Sequence, residues 1–296
     1  MITEGHLVRH FQGRRGGRGP AIIDIAQDHA VHLLAREGLF ELGIALKGGT
    51  ALRKFWAGNA GRFSTDLDFA GVDEASAALI VEVLDGARAD QFTFGVHEID
   101  GTQRMRLTIS SVFGETEVPA RLDLGRRDLW LLPEPMPFVP LPIHSRYGFD
   151  LPTVPAARIE ETIAEKLARY RRGSLARDLY DLAWASSRPF DESLVRRLLV
   201  LKVWTDVIDD GLGERPFDPI EIVRERLPDE FKPESIGYLT TPVDTAGWIA
   251  AVRQRFAFLS DLTDEESLWA RCSKGDEWEV RQAIVALGAH SRGDVE

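Results

Sequence analysis

Apolar positions recur with two different periods along this chain, and the change of period divides it. In "AIIDIAQDHAVHLLAREGLF" the residues Ile23, Ala26, Ala30, Leu33 and Leu34 return at helical spacing, so this stretch reads as an amphipathic helix. "FELGIALKGG" reads as a short buried strand that ends in a glycine turn, and "TALRKFWAG" as a helix with Thr50 near its start, where its hydroxyl can cap free amides. Gly58 and Gly61 interrupt, and "STDLDFAGV" follows as a strand. "EASAALIVEVLDGAR" is a second amphipathic helix, and "QFTFGVHEI", "RMRLTISSVF" and "EVPARLDLG" are strands. The middle strand alternates cleanly: Met105, Leu107 and Ile109 take one face, and Arg104, Arg106 and Thr108 the other. The proline-rich passage "LLPEPMPFVPLPIHSRYGFDLPTVP" is too apolar for a disordered linker and is expected to wrap the first half. From Ala156 onward the pattern is helical. The expectation is an α+β chain: a flexible basic start over 1–20, an α/β domain with a mixed sheet over 21–150, and a helical domain over 151–296.

Composition narrows the class. The chain has 296 residues, 44% of them hydrophobic and 28% charged, ordinary values for a folded protein. No apolar run approaches the ~20 residues that cross a bilayer, the first twenty residues hold no signal-peptide core, and the single Cys272 excludes an internal disulfide. The reading is cytoplasmic, with no membrane partner. The net charge of −11 argues against nucleic-acid binding over the whole surface. Charge is uneven, however. Arg9, Arg14, Arg15 and Arg18 crowd the start, and Lys166, Arg169, Arg171, Arg172 and Arg177 form a run without an acid. Such patches suit a phosphate-rich ligand held locally, or are solvated helix faces. The lone His97, His144 and His290 receive no role, and the tryptophans of the second half are read as core.

The chemistry concentrates in "LKGGTALRKFWAGNAGRFSTDLDF". In "TDLDF" Asp66 and Asp68 point to one face of a strand while Thr65, Leu67 and Phe69 point to the other. Two carboxylates on one side repel each other, and a divalent cation neutralises them economically: Mg²⁺ takes one or two carboxylates, waters and phosphate oxygens. The turn at Gly48 and Gly49, opening a helix at Thr50, offers backbone amides to anionic phosphates. Asp123 in "ARLDLG" shares a face with Arg121; it is either a third acidic ligand from a neighbouring strand or an edge-strand aspartate paired with Arg121. "RIEETIAEKLARYRRGSLARDLYDLAWA" reads as two helices broken at Gly173–Ser174. Lys166 borders the apolar stripe of Ile159, Ile163 and Leu167. It either delivers its ammonium into a cleft or pairs with Asp181 across the two helices.

The spacing from Gly49 to Asp66 resembles the glycine-rich turn and DxD strand of the DNA polymerase β-like nucleotidyltransferases. With "TIAEKLARY" and "RDLYDLAW" following in order, residues 40–190 resemble the AbiEii/AbiGii-type toxins, which include the MenT-like members of toxin–antitoxin pairs. The resemblance implies a nucleotidyltransferase that moves NMP from an NTP to an acceptor, the 3′ end of tRNA in MenT-like members, which blocks translation. It implies that Gly48, Gly49 and Thr50 meet the phosphates, with Ser64 beside them. It implies that Asp66 and Asp68, with Asp123 as third acid, hold Mg²⁺ or Mn²⁺. Lys166 would contact the triphosphate, Asp181 would complete the site, and Arg177 and Asp178 would orient their neighbours. A cognate antitoxin is implied as partner. Thr50 departs from the family's usual serine but keeps the hydroxyl. Two alternatives stay open: transfer of NMP or phosphate to a protein, and a non-catalytic nucleotide binder.

Overall fold

The computed structural model describes residues 1–11, 17–99, 104–114, 118–232, 239 and 242–293. The chain forms two compact units. The first comprises Met1–Leu129, Pro133–Ala157 and Gly237–Pro242, and the second Trp130–Leu132, Arg158–Ile236 and Val243–Glu296.

The first unit opens with helices α1 (Glu4–Phe11) and α2 (Arg18–Arg36). The expectation of a flexible start fails for α1, because Ile2 and Leu7 are fully buried in the core. Arg14 and Arg15 lie outside the described residues. Strand β1 (Ala45–Lys47) leads into α3 (Gly48–Ala51), which continues as a π-helical turn over Leu52–Ala57. Then come β2 (Asp66–Ala70), α4 (Glu74–Leu84), β3 (Arg88–Ala89), β4 (Phe92–Glu98), β5 (Arg104–Ser111) and β6 (Val118–Leu124). Two short strands, β7 (Glu134–Met136) and β8 (Val154–Ala156), close the sheet. The strands lie in the order β3-β4-β5-β6-β2-β1-β8-β7. The sheet is mixed: β2 runs parallel to β6, and β1 to β8, while the other neighbours are antiparallel.

Alternation sorts the sheet into two faces. Leu67, Phe69, Leu107, Ile109, Leu122 and Leu124 are buried on one of them, in a core shared with Ile22, Ile25 and Val31 of α2 and Ile80 and Leu84 of α4. The proline-rich passage contributes Phe138, Leu141 and Ile143 to that core. The other face carries Asp66, Asp68, Arg104, Arg106, Arg121 and Asp123.

The second unit is helical: α5 (Ile159–Arg172), α6 (Ala176–Ala185), α7 (Glu192–Ile208), α8 (Ile220–Val223), α9 (Thr245–Arg255), α10 (Asp264–Trp269) and α11 (Glu277–Gly293). Trp204 and Trp269 fill its interior, as expected of core tryptophans, whereas Trp278 is exposed. Among the described residues no helix is long and apolar enough to cross a membrane.

Candidate active site

Strand β2 presents Asp66 and Asp68, half-buried, on the face opposite the fully buried Leu67 and Phe69. Its neighbours set what surrounds them. On one side β6 places Arg121 opposite Asp66 and Asp123 opposite Asp68. On the other side β1 places Lys47 opposite Asp68. Because β6 sits between β5 and β2, Asp123 is an interior-strand residue and not an edge one. Nor does it pair with Arg121: its Oδ2 accepts from Arg104 Nε at 3.2 Å, and Arg121 Nε stands 4.0 Å from Asp66 Oδ1.

The glycine turn is shaped around the second carboxylate. Gly48 has φ +75°, and a Cβ built there would collide with Asp68 Oδ2. At Gly49 a Cβ meets Arg62 Nη2 at 2.5 Å and Ser64 Oγ at 3.1 Å. Both glycines therefore allow close approach, and Gly48 alone also needs the backbone freedom of a residue without a Cβ. Thr50 does not cap its helix; its buried hydroxyl donates to the Asp66 carbonyl and ties α3 to the DxD strand.

A buried ionic cluster, which the sequence reading missed, supports this turn. Arg53 Nε and Nη2 donate to the two carboxylate oxygens of Asp24 at 2.7 and 2.8 Å, and Arg53 Nη1 donates to the carbonyls of Gly58 and Gly61. Lys54 Nζ stands 2.7 Å from both Asp24 Oδ1 and Asp28 Oδ1. His10 closes on Asp24 at 2.7 Å, and Tyr147 donates to Asp28 at 2.6 Å. Burial alone would raise the Asp24 carboxyl, but Arg53 and Lys54 outweigh it and hold the group well below 3.8. Asp28 is lowered in the same way, its burial outweighed by Lys54 and His144. Burial and the neighbouring Asp28 push the Tyr147 hydroxyl well above 10.0. Asp24 and Asp28 one helical turn apart, with adjacent Arg53 and Lys54 in an apolar helix, were the signal available.

In the helical unit Lys166 is buried and donates to Asp181 Oδ2 at 2.6 Å, the cross-helix pair that one sequence reading foresaw. Asp178 is fully buried, with Lys166 Nζ at 3.9 Å and Arg169 Nε at 3.5 Å. Neither Asp178 carboxylate oxygen has a hydrogen-bond partner among the described residues. Arg177 is half-buried. Most of the basic run is spent internally: Arg171 meets Glu221 at 2.5 Å and Arg172 meets Asp206 at 3.3 Å.

Could the carboxylates hold a metal? Among the described residues no group of three or more histidine, cysteine or carboxylate side chains gathers into a metal cage. A cage is not what Mg²⁺ requires, since it accepts one or two carboxylates and takes its remaining oxygens from water and substrate phosphate. The hard-oxygen pair of Asp66 and Asp68, half-exposed and lying against a glycine turn, fits that demand.

A mixed sheet that carries DxD beside a glycine turn, followed by a helical unit, is the arrangement expected of a nucleotidyltransferase, and the comparisons with known proteins agree on that class. The family model of the AbiEii nucleotidyl transferase toxins of type IV toxin–antitoxin systems matches residues 32–282, and the chain belongs to that family. It is similar to MenT4, a nucleotidyltransferase toxin from Mycobacterium tuberculosis H37Rv, at 44% identity and a TM-score of 0.90, over 97% of this chain and 100% of that one. JHP933 from Helicobacter pylori matches at 17% identity over 80% of this chain and 95% of its own, with a TM-score of 0.40, too low to carry an argument. The comparison with curated proteins gives no match. Family membership brings with it an NTP substrate, a divalent metal and an antitoxin partner.

Proposed function

We propose that this toxin transfers a nucleoside monophosphate from an NTP to the 3′ end of tRNA, with Mg²⁺ held by Asp66 and Asp68. The observation that carries the proposal is the contact between Gly48 and Asp68, which sets a carboxylate against the turn whose amides suit phosphates. The acceptor hydroxyl attacks the α-phosphorus and gives up its proton to solvent, the new O–P bond forms as the bond to the bridging oxygen breaks, and pyrophosphate leaves. An ion held by Asp66 and Asp68 would supply a Lewis acid for the charge that develops on the phosphoryl oxygens. The chain's own residues position the reactants. Gly48, Gly49 and Thr50 hold the phosphates through backbone amides, with Ser64 adjoining them. Asp123, opposite Asp68 and held by Arg104 at 3.2 Å, is assigned as a third acid beside this pair, not as a ligand gathered with it. Lys166 is assigned to the triphosphate and Asp181 to holding that lysine, with Arg177 and Asp178 orienting them; this assignment rests on the family resemblance. An NTP, a tRNA and an antitoxin are thus the expected partners.

The test is incubation with each α-³²P-labelled NTP, Mg²⁺ and total tRNA, beside an Asp66→Ala variant and a chelator control, resolved on a denaturing gel. Label is expected in the tRNA band with wild-type protein and Mg²⁺ only. Full labelling by Asp66→Ala would overturn the metal assignment, and label on protein instead of tRNA would replace the acceptor.

A further inference from the structure

Charge on the open face of the sheet is balanced in one cross-strand row and not in the next. In the first row Arg104, Asp123, Asp68 and Lys47 stand opposite one another in sequence across β5, β6, β2 and β1, two cations flanking two carboxylates, so that the row sums to neutrality. In the second row His97, Arg106, Arg121 and Asp66 stand opposite one another across β4, β5, β6 and β2. Here two arginines face each other on neighbouring strands, an arrangement that destabilises a sheet unless an anion is shared. Asp66 does not resolve it, since this one carboxylate, 4.0 Å from Arg121 Nε, stands against two guanidinium charges in the row. Arg106 makes no ion pair among the described residues, and it is exposed; the Arg121 side chain is 60% exposed. Strands lie about 4.8 Å apart, so the arginines form a short cationic ledge beginning one strand from Asp66.

The ledge lies on a definite side. Sheet order sets β1 and its glycine turn on one flank of β2, and β6 and β5 with the two arginines on the other. A displacement at phosphorus needs attacking and leaving oxygens roughly in line. A triphosphate on the glycine flank therefore leaves the arginine flank to the attacking strand.

We propose that Arg106 and Arg121 jointly grip a backbone phosphate of the acceptor RNA and so present its terminal hydroxyl to the Asp66–Asp68 carboxylates. This inference rests on the reading of tRNA as acceptor. Guanidinium forks bind phosphate oxygens bidentately, and one shared phosphate removes the repulsion between the two. The other basic tract offers less, because Lys166, Arg169, Arg171 and Arg172 already face carboxylates in their own unit.

The test uses the full chain with Arg106→Gln and Arg106→Lys, because Arg106 touches neither the carboxylates nor the glycine turn. Fluorescein-labelled tRNA is titrated by anisotropy across a salt series, and Mg²⁺-dependent NTP binding is measured on the same samples. Arg106→Gln is expected to weaken tRNA binding on the order of tenfold and to cut the log–log salt slope by part of the roughly 0.7 to 0.9 that one phosphate contributes, since Arg121 keeps its hold on the shared group. Arg106→Lys should keep the slope, NTP affinity should not change, and the melting temperature of Arg106→Gln should equal or exceed that of wild type. Unchanged tRNA affinity and slope in Arg106→Gln would overturn the ledge while leaving tRNA as acceptor. A loss confined to NTP binding would also overturn it, by reassigning the arginines to the triphosphate. If wild-type protein neither binds nor labels tRNA, the acceptor reading fails first and this inference with it.

Discussion

Gly48 shows how much a single position can carry. Its φ of +75° lies in the left-handed region, and any Cβ would strike the Asp68 carboxylate. Gly48→Ala is therefore expected to cost about 1–2 kcal/mol of stability from backbone strain. It should cost far more in activity, because Asp68 must swing away from the turn. Thermal melting beside the tRNA-labelling assay checks this. A variant that keeps wild-type activity would detach the turn from the carboxylate chemistry. The sequence reading chose Gly48 for its flexibility and its amides. The steric reason, a carboxylate packed against its Cα, belongs to a contact twenty residues away and could not be read from the motif.

At the scale of elements, α5 and α6 change the meaning of a simple experiment. Lys166 is held between Asp181 at 2.6 Å and Asp178 at 3.9 Å, all three buried. Removing one partner of a buried ion pair leaves charge uncompensated and typically costs about 3–5 kcal/mol. Lys166→Ala should thus destabilise the helical unit as well as impair nucleotide use. Paired deletion in Lys166→Met/Asp181→Leu should destabilise less than the two single effects summed. Chemical denaturation of the single and double variants measures this, and simple additivity would contradict the buried pair. The sequence placed both residues and offered the pair as one of two readings. Spacing alone gave no way to choose, since a lysine bordering an apolar stripe points to a cleft or to a partner depending on the neighbouring helix.

At the scale of the whole molecule the buried ions of the first unit set a pH response. His29 donates from Nδ1 to the Ile25 carbonyl and leaves Nε2 buried without a partner among the described residues, so burial lowers its pKa below 6.5. Asp24 and Asp28 are also lowered, below 3.8. A lowered folded-state pKa means that the unfolded chain binds more protons, so stability falls with acidification below the ordinary value of each group. Melting temperature should decline shallowly below about pH 6.5, as His29 resists protonation, and steeply below about pH 4, as Asp24 and Asp28 lose their charge. Circular-dichroism melts across this range provide the check. A flat profile down to about pH 5 would remove His29 from the account, and resistance below about pH 4 would remove the aspartates.

By itself the sequence determined what rests on local periodicity and short spacing. Alternation in "STDLDFAGV" and "RMRLTISSVF" fixed which residues share a face, because side-chain direction in a strand depends only on the count of residues. The order of the glycine turn, the DxD strand and the two helical boxes sufficed to name the family. Only the tertiary structure decided strand order, and with it every relation across strands: Asp123 against Asp68, Arg106 against Arg121, Lys47 against Asp68. Those pairings join residues far apart in sequence, through hydrogen bonds that any extended backbone can make, so no side-chain pattern encodes them uniquely. The buried Asp24–Arg53–Lys54–Asp28 cluster belongs with them. An ionic residue on an apolar helix reads as surface until the opposite charge is brought within about 3 Å and the desolvation it suffers is offset.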